Sequence, residues 1–315
     1  MMKGLRDSVD PAQMNGSQPA LAANGTPNSV SQIVEALTIV HNAQSSKESR
    51  QQASGLLEEA KINNDAPYHG FTLAVDHGQP PIVRHYGLSL LEYAIRHRWS
   101  GYTEEQSTAL REWVLALAQG VSEEDPGYVR NKVAQLWVEV AKRSWALEWI
   151  DMDKMLVELW RGPLVRKDMV LSVLETLSED IFSREDTTAG LRGNDLNRAC
   201  VEIFTPAIVL TQHFPTRENN FNVRYGDEGW LVRIGDMLDW CLENDVHGNE
   251  KVRNSAVKAL AVLRTAMAWA IPKAIITARC VVVILKSLAV QDTQIRMVRI
   301  LSWPMLCLSR TTNPS

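Results

Sequence analysis

The sequence lacks the motifs on which most catalytic and metal-binding sites are built. It contains no glycine-rich phosphate loop, no H-E-x-x-H helix, no G-x-S-x-G turn and no cysteine with a plausible histidine partner. His85 and His97 lie twelve residues apart, which is more than three helical turns and too far for one metal ion. The acids at 123–125 and 151–153 are typical of helix starts, and we interpret them as solvated carboxylates. We therefore expect no enzyme activity, no cofactor and no metal site.

Cysteine is also scarce, with 4 residues among 315 and no C-x-x-C pair. A disulfide framework or a zinc site needs closely spaced cysteines, so both are disfavoured. Each cysteine instead lies in an apolar helical stretch. We expect reduced thiols in the hydrophobic core at Cys200, Cys241, Cys280 and Cys307.

The chain has neither a strong net charge nor a long uncharged apolar run. Its 33 basic and 37 acidic residues give a formal net charge of -4, so no overall basic field attracts nucleic acid or anionic membranes, although a local basic surface stays open. The most apolar region, 256–290, is interrupted by lysines and arginines, so no stretch of about 20 residues can insert into a membrane. Residues 1–28 lack the apolar run of a signal peptide, and we expect a disordered tail there.

A repeat runs through the rest of the sequence. A Val-Arg pair opens a long amphipathic stretch four times, at Val83-Arg84, Val129-Arg130, Val165-Arg166 and Val252-Arg253. The intervals are 46, 36 and 87 residues, and the last is close to two periods of about 43, a spacing typical of HEAT and armadillo units. Residues 82–99 align with 128–145 at one constant offset, with the same Val, Arg, Leu and terminal Trp, and with Arg96 answered by Lys142.

This spacing predicts an all-α fold, because helical periodicity is present and strand alternation is not. We expect a right-handed α-α superhelix, a HEAT or armadillo-type solenoid of about six to seven helical hairpins, over residues 29–308. Polar surface insertions are predicted near 183–195 and 215–228, and a short tail at 309–315. A stack of hairpins provides a long surface for partners rather than a crevice for chemistry.

One group of cations stands out along two equivalent helices of the repeat. If these helices stack side by side, the charges form a stripe that suits an acidic partner or phosphate, whereas a solvated face is the alternative. The repeated arginines could also build a ladder, each reaching a carboxylate or carbonyl of a neighbouring repeat. The candidate partner-binding residues are Arg84, Arg96, Arg98, Arg130, Lys142 and Arg143.

Three segments together resemble a known family. They are H-Y-G-L-S-L-L-E-Y-A-I-R-H-R-W at 85–99, V-E-V-A-K-R-S-W at 138–145 and W-I-D-M at 149–152. They are similar to the N-terminal region of importin-beta superfamily (karyopherin) exportins, in the fungal form of the exportin-five branch, and the resemblance covers roughly 30–290. Such exportins show two Trp-Pro pairs after the Lys-Arg helix. Ala146 and Ile150 replace those prolines here, which bears on the rigidity of that turn.

The resemblance implies a nuclear transport receptor that shuttles between nucleus and cytoplasm. Its N-terminal repeats would clasp the Ran GTPase in its GTP form, cargo would bind along the inner face, and nuclear pore proteins would be further partners. Members of this branch are associated with structured small RNA, transfer RNA and, in fungi, phosphorylated proteins. Because family members are several times longer, we expect an N-terminal fragment whose apolar end at 302–308 is exposed. The alternative is a generic helical scaffold or adaptor without Ran dependence.

Overall fold

The computed structural model describes residues 27–183, 186–214 and 223–287. Within these ranges the chain forms 15 α-helices and no β-strand, which confirms the predicted all-α class. The chain divides into two compact units, Met1–Trp113 and Val114–Ser315. None of the described helices is long and apolar enough to cross a bilayer.

The first unit consists of consecutive helical pairs. Its helices are α1 (Pro27–His41), α2 (Lys47–Ile62), α3 (Ala66–Val75), α4 (Pro81–Arg98) and the beginning of α5 (Glu104–Gln119). Helix α1 packs against α2, and α3 packs against α4. The apolar stripes meet in one core that includes Ile33, Leu37, Leu57, Leu73 and Leu90. The amphipathic pattern therefore placed the hairpins of this unit correctly.

Helix α5 begins with a reciprocal capping box. The backbone N–H of Gln106 donates to Thr103 Oγ1 at 3.3 Å, while the N–H of Thr103 donates to Gln106 Oε1 at 3.0 Å. Two amide groups that would lack partners at a helix start are thereby satisfied.

Helices α3 and α4 approach each other through two glycines. A Cβ atom added to Gly87 would lie 2.6 Å from the carbonyl oxygen of Gly70, and one added to Gly70 would lie 2.7 Å from that of Gly87. No side chain fits at this crossing, so glycine is required by the close approach of the two backbones.

The second unit is organised around one buried helix, α8, which packs against α6, α7, α10 and α13. Its apolar residues cover most of its circumference because neighbours surround it. The helices after α5 are α6 (Gly127–Ser144), α7 (Met152–Trp160), α8 (Leu164–Phe182), α9 (Thr187–Leu191), α10 (Gly193–Phe204), α11 (Ala207–His213), α12 (Trp230–Glu243), α13 (Glu250–Ala266), α14 (Pro272–Thr277) and α15 (Cys280–Ser287).

One sequence interpretation is corrected by this unit. The helical spacing over 197–213 predicts a single helix, but the structure divides this stretch into α10 and α11, because Pro206 has no N–H to continue α10 and instead precedes α11. The predicted insertion at 183–195 contains α9 and an anchoring residue, Arg192, which donates to the carbonyl oxygens of Lys142 at 3.1 Å and Trp145 at 2.5 Å. Arg192 therefore ties the end of α9 to α6, and the surface insertion itself stays a prediction.

The remaining expectations have partial outcomes. Cys200, Cys241 and Cys280 are free and buried, as predicted, and Cys307 lies outside the described residues. In the second predicted insertion, 215–222 is also outside the described residues, whereas Val223 is buried and its N–H donates to Glu202 Oε1 at 3.1 Å. The predicted tails at 1–28 and 309–315 and the apolar end at 302–308 fall almost wholly beyond the described ranges.

Candidate functional site

The six candidate cations lie on two helices. Arg84, Arg96 and Arg98 belong to α4 in the first unit, whereas Arg130, Lys142 and Arg143 belong to α6 in the second. Their surroundings differ strongly between the two helices, so each group is described within its own unit.

On α4, Arg84 is a packing residue. It is 7% exposed, and its Nε donates to the carbonyl oxygen of Ala74 at 3.0 Å, near the end of α3. The late carbonyls of a helix lack intrahelical donors, so this guanidinium satisfies one of them and ties α3 to α4. The contact lies within one helical pair and does not reach a neighbouring repeat, as the ladder interpretation requires. Arg84 is therefore not one of the surface cations.

The other two α4 cations lie at the surface. The Arg96 side chain is 44% exposed and pairs with Glu92 on the same helix at 3.1 Å. Arg98 donates to the carbonyl oxygens of Asn63 at 2.7 Å and Lys61 at 3.2 Å, at the end of α2. Arg96 therefore remains a solvent-facing charge, while Arg98 both fixes the end of α2 and stays partly accessible.

On α6, Lys142 is almost completely buried, with 1% exposure, inside a cluster of carboxylates. Its Nζ donates to Glu139 Oε1 at 2.9 Å, Asp180 Oδ2 at 2.9 Å and Asp186 Oδ2 at 2.8 Å. The acids come from α6, from α8 and from the residue that caps α9, where Asp186 Oδ1 accepts the N–H of Ala189 at 2.7 Å. We call these four residues the Lys142 cluster.

Within the Lys142 cluster, the contacts favour the charged forms of Lys142 and Asp186. Burial alone lowers the pKa of Lys142, but the hydrogen bonds to Asp186, Asp180 and Glu139 outweigh it and hold that pKa above its ordinary value. Burial raises the pKa of Asp186, but the hydrogen bonds from Lys142 and from the N–H of Ala189, together with the charges of Lys142 and Arg143, outweigh it and lower the carboxyl pKa. The ammonium occupies the place that a metal ion would take in the one group of three potential ligands among the described residues, Glu139, Asp180 and Asp186.

The neighbouring cations of α6 differ from Lys142. Arg143 is 9% exposed and donates from Nη1 to Glu139 Oε2 at 2.7 Å, so that Glu139 lies between two positive charges. Arg130 is half-buried at the other end of the helix, where it lines a recess of about 460 Å³. Lys142 thus joins α6, α8 and the start of α9 inside the unit, whereas Arg130 is the candidate cation of α6 that lines a recess.

Asp153 is a buried carboxylate outside the Lys142 cluster, although the sequence suggested a solvated acid there. This side chain is 1% exposed and accepts the N–H of Tyr225 and the Nε1–H of Trp230, each at 2.6 Å. Burial raises its pKa to about 6, although these two hydrogen bonds and the charges of Arg233 and Arg224 act in the opposite direction. Asp153 therefore anchors the start of α12 to α7. Its partners are more than 70 residues distant, so no local pattern could have identified it.

The turn after α6 explains the departure from the Trp-Pro pattern. Ala146 has φ 61°, in the left-handed region, and proline cannot adopt this angle. The carbonyl oxygen of Ser144 accepts the N–H groups of Leu147, Glu148 and Trp149 at 3.0 to 3.2 Å. This turn is therefore held by a hydrogen-bonded carbonyl instead of by proline rings.

The family model described as "Exportin 1-like protein" matches residues 126–301, just over half of the chain. The chain belongs to the exportin family. The match begins next to the first residue of α6, and it indicates a HEAT-like helical solenoid, as the repeat predicted.

Individual relatives place this exportin more closely. It is 30% identical over 261 residues to Protein MSN5 of Saccharomyces cerevisiae, which covers 78% of this chain and 21% of that protein. It is 25% identical over 161 residues to Exportin-5 of Dictyostelium discoideum, covering 51% and 14%. The identity to human Exportin-5 is 30% over 155 residues, covering 48% and 13%. The predicted exportin-five branch is confirmed. The chain spans about a fifth or less of the length of these relatives.

Proposed function

We propose that this chain is part of a nuclear export receptor that binds the Ran GTPase in its GTP form together with cargo. The observation that carries the proposal is the exportin-family match over residues 126–301, on a chain built from packed helical pairs. Packed helical pairs present extended surfaces that suit macromolecular partners. The names of the relatives, among them Exportin-5 and Exportin-1, agree with a role in export.

The proposal includes the partners implied by the family. Cargo would be rich in phosphate, as structured RNA, transfer RNA or phosphoprotein, and passage between nucleus and cytoplasm would bring the receptor into contact with nuclear pore proteins. The surface cations Arg96 and Arg98 on α4 and Arg130 on α6 support binding to acidic groups, because their side chains are at least partly accessible. Arg143 is a weaker candidate because Glu139 already neutralises it.

Ran capture by the full 315-residue chain tests this function. The immobilised chain is exposed to Ran loaded with GTP or with GDP, and we expect the GTP form to bind at least about tenfold more tightly, within the usual range of coupling between two ligands. Equal capture of the two forms would contradict the proposal and favour the Ran-independent scaffold.

A charge reversal identifies the surface involved. Arg96→Glu should weaken capture of Ran-GTP or of an acidic cargo, because it places a negative charge on an exposed face of α4. Lys47→Glu, at the exposed start of α2, is the matched control and should change capture little. Both proteins should retain the circular dichroism of the parent. If Arg96→Glu leaves capture intact, Arg96 belongs to a solvated face.

A further inference from the structure

A groove in the second unit is lined by the end of α7, the start of α8 and one face of α12. Its volume is about 1120 Å³, and its walls include Trp160 on α7, Lys167 on α8, and Asp236 and Trp240 on α12. Residues 225–228, which precede α12, also line it. The groove is large enough for several side chains of another molecule.

The wall formed by α12 presents aromatic and charged side chains together. Helix α12 packs against α13 and α15, whereas Arg233, Asp236, Met237 and Trp240 recur at helical spacing on the face that lines the groove. Trp240 is 47% exposed, and the neighbouring Tyr225 is 37% exposed. Exposed rings of this size are typical of surfaces that contact other proteins.

The start of α12 shows how this chain holds a guanidinium. Cζ of Arg233 lies 5.6 Å from the ring centroid of Trp230, and its Nη2 pairs with Glu228 Oε2 at 3.3 Å. One arginine is thus shared between an indole face and a carboxylate. This combination suits a guanidinium, because the planar cation stacks on the ring while its N–H groups bond to the acid.

Further along α12, the same two kinds of group lie side by side. Asp236 and Trp240 are four residues apart, so both project from one side of the helix into the groove. Within the described ranges, no cation of this chain lies over the ring of Trp240, and the carboxylate of Asp236 accepts no hydrogen bond. Both groups are therefore available to a cation from another molecule.

The surroundings of Asp236 favour an added positive charge. Burial and the charges of Glu228 and Asp239 raise the pKa of Asp236, whereas the charge of Arg279 opposes them. The repulsion acts although Asp239 itself pairs with Lys286 at 2.5 Å. A cation bound at Asp236 would offset the repulsion among these carboxylates.

Two other cations of the groove lie on the wall formed by α7 and α8. Lys167 Nζ lies 5.8 Å from the ring centroid of Trp160, and Arg161 is exposed at the end of α7. They repel a positive ligand at their own wall and so favour its approach to α12. On that side Asp227 adds a negative charge that is 92% exposed and only loosely paired with Arg224, at 3.9 Å.

We propose that this groove binds an arginine side chain of a partner protein, with its guanidinium stacked on Trp240 and bonded to Asp236. Arginine fits better than lysine, because a planar fork matches a carboxylate and an indole face at once. The acids at 227, 228 and 236 disfavour a phosphate at this wall. The site therefore selects a charge opposite to that of the phosphate-rich cargo, and it goes beyond the proposed export function.

Binding of a short peptide to the full 315-residue chain tests the proposal. The probe is acetyl-Gly-Gly-Arg-Gly-Gly-amide, whose only charge is the guanidinium, and the control contains citrulline, which has a similar shape and no charge. The indole N–H resonance of Trp240 is followed by heteronuclear NMR and identified by its loss in Trp240→Phe. We expect the arginine peptide to shift this resonance and to bind at least about tenfold more tightly than the citrulline peptide. Equal shifts with the two peptides, or no shift with either, would overturn the proposal.

Variants of one carboxylate locate the site. Asp236→Asn should weaken binding of the arginine peptide about tenfold, because it removes the charge that assists the hydrogen bonds. Asp236→Glu keeps that charge and should recover part of the affinity. Glu59→Gln, at an exposed carboxylate on α2, is the matched control and should leave the affinity unchanged. Circular dichroism verifies that each variant is folded, and affinity that survives Asp236→Asn would reject this site.

The wall formed by α7 and α8 provides a test of opposite sign. Arg161→Met should strengthen binding of the arginine peptide by up to about threefold, because it removes an exposed repelling charge. A loss of affinity in this variant would contradict the placement of the guanidinium at α12. A peptide with lysine that binds as tightly as the arginine peptide, or one with glutamate that binds more tightly, would also reject the assignment.

Discussion

Helices α4 and α6 align residue for residue in the sequence, yet the structure uses their equivalent positions differently. Arg96 near the end of α4 is 44% exposed, whereas the aligned Lys142 is 1% exposed and bonded to three carboxylates. Helices α8 and α9 pack on α6, and α8 and the N-cap of α9 supply two of those acids, while Arg96 has its partner Glu92 on its own helix. Equivalent places in a repeat can therefore carry a surface charge in one copy and an internal ion cluster in another.

The same contrast extends to apolar positions. Gly87 on α4 aligns with Val133 on α6, and both are buried, but only the glycine allows two helix backbones to touch. The terminal Trp99 of one copy is partly exposed, whereas Trp145 of the other is fully buried. The two copies of the repeat therefore share the alignment of their helices along the sequence. The distance between packed helices and the burial of aligned side chains differ from one unit to the other.

The largest expected effect is the difference in the free energy of unfolding between variants of Lys142 and Arg96. Lys142→Met should lower the free energy of unfolding by about 3–5 kcal/mol, because it leaves buried carboxylates without their common cation. Arg96→Met should change it by less than about 1 kcal/mol, since an exposed pair contributes little. Urea denaturation of both variants measures the difference. Similar losses in the two proteins would show that the Lys142 cluster is not a major source of stability.

A second prediction concerns Asp153, a buried carboxylate of the second unit that lies outside the Lys142 cluster. Asp153 has a pKa of about 6 in the folded protein, above its ordinary value of 3.8, so the folded state retains a proton that the unfolded state loses between about pH 4 and pH 6. The stability of the parent should therefore fall, relative to Asp153→Asn, as pH rises through this window. The relative change should be of the order of 3 kcal/mol, and it should level off above about pH 7.

Chemical denaturation at pH 4, 5, 6 and 7 measures this difference. The comparison with Asp153→Asn removes the contribution of other titrating groups, because both proteins share them. Stability curves that remain parallel over the whole range would mean that Asp153 titrates with an ordinary pKa.

A smaller effect tests the backbone contact of the first unit. Gly87→Ala should lower the free energy of unfolding by about 1–3 kcal/mol, because the added Cβ would overlap the carbonyl of Gly70. Gly55→Ala on α2 is the matched control. Its Cβ would meet nothing within 4 Å, so it should stabilise the helix by up to about 1 kcal/mol. Thermal midpoints that move in the same direction would refute the close-contact explanation.

The smallest effect compares the turns that follow the two aligned helices. Ala146→Gly should raise the free energy of unfolding by roughly 0.5–1 kcal/mol, since glycine relieves the left-handed strain at φ 61°. The aligned Ser100 lies in a 3-10 turn without positive φ, so Ser100→Gly should give no gain. Denaturation midpoints of the two glycine variants make the test. A gain at both positions, or at neither, would contradict the difference in turn geometry.

The candidate site was predictable only in part. The sequence placed the candidate cations on α4 and α6, but it did not show their contacts. Arg84 bonds to a carbonyl of its own helical pair, and Arg98, which bonds to the end of α2, is not one of the repeated arginines. The acids around Lys142 could not be found in the same way, because Asp180 and Asp186 are 38 and 44 residues away in the chain. A charge pattern on one helix contains no information about carboxylates brought by another.

Local sequence was sufficient for the all-α class, for the helical register and for the capping box at Thr103, because these depend on contacts within about four residues along the chain. It was also sufficient for membership of the exportin family. The packing of segments far apart in the sequence decided the place of each cation. It determined which cations are buried, which lie at the surface and which line the recess at Arg130. Burial is a property of all the neighbours of a side chain, and those neighbours are assembled only when the helices pack.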